Sequence, residues 1–191
     1  MGMRPLICLV ALAALVSACA ESGTPVPGTS TAAPTPTTGK YGAPGVQDPV
    51  EPGGFLKDPC EVLTRSQAGE LGWEAEGTPH DLSSNDPYCS WSDKKNLESF
   101  DFGWLASNKG GLDDTYRVFK DDAGYFDPIE VDGYPGVFHS ATDNRPRGHC
   151  NLVVGIRDEL TFRVGGTGDG PEICDKLREM ASMAITTMKA G

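Results

Sequence analysis

Positive charge is scarce and scattered. Lysine and arginine number 16 against 27 aspartates and glutamates, which leaves a formal charge of −11. The nearest approaches to a basic cluster are the isolated pairs Lys94 with Lys95 and Arg145 with Arg147. Nucleic acid and anionic lipid surfaces are bound through clustered lysine and arginine, so neither is an expected partner. Long apolar runs are also missing. The one hydrophobic stretch, residues 6–16, would be about 16 Å long as a helix, roughly half a bilayer core. Catalytic signatures are lacking too: no G-x-S-x-G or H-E-x-x-H occurs, and the three histidines, His80, His139 and His149, sit outside any such motif. No closely spaced cysteine pair suggests zinc. The carboxylate pairs Asp113 with Asp114 and Asp121 with Asp122 lack the EF-hand spacing and read as solvated acidic helix ends. The glycine-rich stretch 165–170 has no P-loop lysine. It also brings Asp169 and Glu172 to the start of the next helix, where they would repel phosphate. The sequence therefore predicts no enzyme, no cofactor and no metal.

The amino-terminal stretch carries an address. Arg4 supplies a positive n-region, the short apolar run follows, and Val16, Ser17, Ala18 and Cys19 have the spacing of a bacterial lipobox. This predicts a signal peptide over 1–18, cleavage before Cys19 and acylation of its thiol. Two or three chains on that residue are enough for stable anchoring on the extracytoplasmic face of the cell membrane. Loss of Arg4 with the leader lowers the formal charge from −11 to −12. Cys8 leaves with the leader as well, so Cys60, Cys89, Cys150 and Cys174 remain, an even number in an oxidising compartment. Four cysteines allow three connectivities. The sequential one, Cys60 with Cys89 and Cys150 with Cys174, closes two short loops and would constrain the unfolded chain by roughly 3–4 kcal/mol each. Residues 19–54 are rich in proline, threonine and glycine, with Tyr41 as their one aromatic. They are expected to form a disordered stalk, about 30 Å end to end as a coil and about 110 Å if extended.

Residues 55–191 are enough for one domain. Asp58 with Pro59, the Thr64 and Gln67 capping pattern, and Gly72 predict a helix over 60–71. Strand signals follow at 88–92 and 99–106, where Phe100, Phe102 and Trp104 alternate with other residues. An acidic amphipathic helix is expected over 112–119. Further strands are expected at 129–131, 136–141, 150–156 and 160–164. Their short connectors imply antiparallel neighbours. Residues 171–189 carry the clearest helical stripe, Ile173, Leu177, Met180, Ala184 and Met188. The fold class is thus α+β, an antiparallel sheet of about five to seven strands packed with an N-terminal, a middle and a long C-terminal helix. In element order it is analogous to Mog1- and PsbP-like sandwiches.

The succession Asp58, Pro59, Cys60, then Leu63, Thr64, Leu71 and Gly72, then Cys89, Ser90 and Trp91 continues through Gly133, Pro135, Gly136 and Val137. It ends with Cys150 and a helix that opens at Pro171 and holds Cys174. In this order the chain resembles the actinobacterial lipoproteins grouped as domain of unknown function 3558, over nearly all of its length after the stalk. The resemblance implies an envelope lipoprotein with no assigned activity, and it brings no catalytic residues. The expected task is that of a non-enzymatic interaction or accessory protein presented outside the membrane to an envelope protein. The alternative is a binding module or carrier for a small or apolar, lipid-like ligand, with Trp91, Phe102, Trp104, Tyr116 and Phe119, and also Phe126, as its lining.

Overall fold

Alternation of apolar and polar side chains along each strand puts one apolar face on a sheet, and a helix stripe must cover it. The computed structural model describes residues 38–74, 76–93 and 95–191. The expected signal peptide 1–18, the anchor Cys19 and the first part of the stalk, 19–37, lie outside the described residues. Seven strands form a single antiparallel sheet: β1 Thr78–His80, β2 Tyr88–Asp93, β3 Glu98–Trp104, β4 Tyr125–Val131, β5 Tyr134–Ser140, β6 His149–Arg157 and β7 Leu160–Thr167. Their spatial order is β1-β2-β3-β7-β6-β5-β4. Two meanders therefore meet where β3 pairs with β7, Phe102 opposite Val164. The chain passes from one meander to the other through α2, Leu112–Phe119. The β4–β5 hairpin turns on Asp132 and Gly133, both at positive φ (51° and 86°), the two-residue turn that suits the twist of paired strands.

The face formed by Cys89, Phe102, Val164, Leu152 and Phe138 is core, and α3, Ile173–Ala190, lies across β6 and β7. Its buried stripe, Ile173, Leu177, Met180, Ala181, Ala184, Ile185 and Met188, follows the helical period. The disulfide Cys150–Cys174 ties β6 to the first turn of α3, and Cys60–Cys89 ties the 3-10 turn Pro59–Val62 to β2, with Cα separations of 5.4 and 5.1 Å.

Two expectations need correction. The single helix over 60–71 is two pieces, the 3-10 turn Pro59–Val62 and α1, Arg65–Glu70. Thr64 serves as the N-cap of α1 through its bond from Gln67 N, and an N-cap needs extended backbone (φ −69°, ψ 158°), which interrupts the helix. The disordered stalk expected over 19–54 does not hold for its second part. Residues 38–54 form an ordered strap: Val50 N donates to Ile156 O (3.0 Å), Val46 N to the Asp158 carboxylate (3.0 Å), and Tyr134 OH to Asp48 O (2.8 Å). Ala43 and Val50 are buried beneath it. At its start the Asp113 carboxylate of α2 accepts from Tyr41 N and Ala43 N.

Candidate functional site

The second sheet face is covered unevenly. At β5 and β6, Val137 and Val153 pack with Leu112 and Tyr116 of α2 and with Ala43 of the strap. Toward β3 and β7 the same face turns polar. One cross-strand row runs Ser90, Asp101, Gly165, Asn151 and the next runs Ser92, Ser99, Thr167, His149. Among the described residues, no helix lies over this half. The side chains are organised among themselves: Arg163 pairs with Asp101, Ser99 Oγ and Thr167 Oγ1 lie 2.7 Å apart, and His80 Nε2 lies 2.9 Å from Ser90 Oγ with its ring stacked on Tyr88. Gly165 makes the ion pair possible, because a Cβ there would stand 2.7 Å from Asp101 Oδ2 and 2.9 Å from Arg163 Nη1.

Two hollows open on this face. A shallow one of about 290 Å³ reaches from Asp101 and Arg163 to Tyr125, Thr142 and His149. A second, of about 310 Å³, lies beside the last turn of α2, with Leu105, Val118, Phe119, Val153, His139 and Arg163 among its walls. Asn151 and Arg163 border both. Burial raises the Asp101 carboxyl above its ordinary value, and the Arg163 guanidinium opposes that rise without cancelling it. Burial first, and then the Arg163 charge, push the His139 imidazole down to about 4, so the ring is neutral at physiological pH.

The tautomer of that ring follows from its neighbour. Asn151 Nδ2 lies 3.3 Å from His139 O and 3.2 Å from His139 Nε2. A carbonyl oxygen must be met by a donor, so this atom is the amide nitrogen and Nε2 accepts from it. The proton of the neutral ring is then on Nδ1, which is buried and has no hydrogen-bond partner among the described residues.

Trp91, Phe102 and Trp104 are buried on the α3 side of the sheet, and Trp104 Nε1 donates to Phe55 O at 2.7 Å. Tyr116 is buried under α2 with Phe126 edge-on against it. Phe119 is half-buried, lines the second hollow and lies 4.2 Å, centroid to centroid, from the His139 ring. The expected apolar lining is therefore not one surface; four of its members are core. Sequence reasoning missed Ser90, Asp101, Asn151 and Arg163 as a group. The available signal was the polar phase of strands whose other phase is aromatic or branched. Among the described residues the three histidines make no hydrogen bond to a carboxylate, and no three histidines, cysteines or carboxylates converge on a metal-sized site. What the arrangement offers is a rigid pattern of donors and acceptors.

Comparison with curated proteins and with solved structures gives no match. A family model for a protein of unknown function, DUF3558, matches residues 14–187, a span that includes Val16 to Cys19, all four disulfide cysteines and every strand of the sheet. By its sequence over nearly the whole chain, this protein belongs to the DUF3558 family.

Proposed function

We propose that the protein is a lipid-anchored component of the cell envelope that acts by non-covalent recognition, meeting a basic envelope protein with the open half of its sheet. The observation that carries this reading is the pair of polar cross-strand rows, held on an ordered sheet without helix cover among the described residues. Such a face suits a partner with a matching pattern of polar groups. It suits apolar cargo poorly, because Trp91, Phe102, Trp104 and Tyr116 are already used in the core. Asp101 and Arg163 balance each other on the face, so discrimination rests on hydrogen-bond pattern. The net charge of −11 favours a basic partner through long-range attraction. The anchoring half of the reading rests on the lipobox at Val16 to Cys19 and is supported by two disulfides, which persist in oxidising compartments.

Pull-down of the lipidated full chain from its own envelope tests the recognition half. Wild type and a control with exposed Glu179→Arg on α3 should retain one basic envelope protein, whereas the double variant Ser99→Arg with Thr167→Arg should lose it. Equal retention by the face variant contradicts the reading. Cys19→Ala should move the protein from the membrane to the soluble fraction, and continued membrane association would contradict the anchor.

A further inference from the structure

A groove at the carboxyl-terminal end of α3 has a chemistry that the open face does not use. Two hollows of about 710 and 770 Å³ meet there and share Phe55 and Glu61. Each is of ligand-pocket size, and joined they exceed what one small molecule would fill. The walls are fixed from behind: Val50 N donates to Ile156 O, Trp104 Nε1 donates to Phe55 O, and the Cys60–Cys89 disulfide holds the 3-10 turn Pro59–Val62 to β2. Met188 in the first hollow, and Leu63 with Pro79 in the second, add apolar surface to that of Phe55. The charge left over has one sign. Asp48, Glu51 and Glu76 are paired with Lys189, Arg157 and Arg65, and Asp58 caps the 3-10 turn by accepting from Cys60 N. Glu61 is exposed at the junction of the hollows, and among the described residues no cation pairs with its carboxylate. Nor, among these residues, does a cation stand over the Phe55 ring. A carboxylate and an aromatic ring at one junction suit an organic cation, since the first supplies opposite charge and the second an attracting quadrupole.

We infer that this groove receives an extended basic segment of another protein, with one lysine or arginine side chain set at Glu61 and Phe55 and the apolar neighbours of that residue set on Met188, Leu63 and Pro79. Charge complementarity selects the cation. The apolar surface in both hollows selects a peptide over a bare amine, which would leave that surface wet. The groove shares no residue with the polar rows of the open face, so this inference and the proposed function are tested separately.

The experiment titrates isotope-labelled protein, with its disulfides intact, with the end-blocked pentapeptide alanine-leucine-lysine-leucine-alanine, with the same peptide carrying glutamine for lysine, and with N-acetyl-lysine amide. The lysine peptide should give saturable NMR shifts at the Met188 methyl and the Phe55 ring, and should bind about fivefold more tightly than the glutamine peptide. Glu61→Gln should weaken the lysine peptide by about the same factor, and Glu61→Lys should abolish its binding. Glu61 is exposed, so both variants keep the fold. Glu179→Arg, exposed on α3, changes the net charge as much as Glu61→Lys and should leave the affinity unchanged. No saturable shift at these positions, equal affinity for the two peptides, equal weakening by Glu179→Arg, or N-acetyl-lysine amide binding as tightly as the peptide would overturn the inference.

Discussion

His139 couples the chemistry of one side chain to the stability of the domain. The unfolded chain takes up a proton on this histidine near pH 6.5, whereas the folded chain resists until about 4. Across that window the unfolded state binds more protons, so stability falls as the pH falls. A depression of this size corresponds to about 3 kcal/mol at most. Urea unfolding of wild type should show stability declining from neutral pH toward pH 4, and His139→Gln should remove most of that slope. A slope unchanged in the variant would assign it to another group. Asp101 acts with the opposite sign: its folded value is raised, so its contribution is present in acid and lost as the pH rises through that value. The difference between wild type and variant is therefore the informative quantity. His139 was legible in the sequence as a strand histidine. Its burial and unpaired nitrogen were not, because they depend on Phe119 and Asn151, which reach it only through the tertiary fold. Likewise Asp101 and Arg163, 62 positions apart, meet through the β3–β7 register, which no local pattern specifies.

The strap shows how an element can be ordered without a regular pattern of its own. Its residues have the composition of a linker, yet Ala43 and Val50 are buried and four backbone N–H groups, of Tyr41, Ala43, Val46 and Val50, bond to the rest of the domain. A chain starting at residue 55 should be less stable than one starting at residue 38 by about 2–4 kcal/mol, as read from urea midpoints. Equal midpoints would mean that the strap contributes nothing. The strap was hidden in the sequence because its partners Asp113, Asp158 and Ile156 are far along the chain. By contrast α2 and α3 were legible from stripes at helical spacing, as was most of β3 from its alternation. β1 has three residues with Pro79 in the middle, too short and too atypical to announce a strand. That same brevity is useful at a sheet edge, and β4 at the other edge carries Asp127, Pro128 and Glu130. Short, charged and proline-bearing edges discourage strand addition, which leaves the sheet face as the surface for the proposed recognition.

For the whole molecule, two disulfides join helical segments to the sheet and one long helix closes the core side. Among the described residues the opposite side is half covered by α2 and half open. The proposed function stands on that asymmetry: the core side is filled and stapled, and the open polar half is the surface proposed to meet a partner. Position-by-position photo-crosslinking in the native envelope tests this most directly, with single crosslinkers at Ser99, Thr167 and His149 on the open face and at Glu179 on α3. The account predicts one envelope protein captured from the first three positions and none from Glu179. Capture from Glu179, with the open-face positions silent, would contradict it.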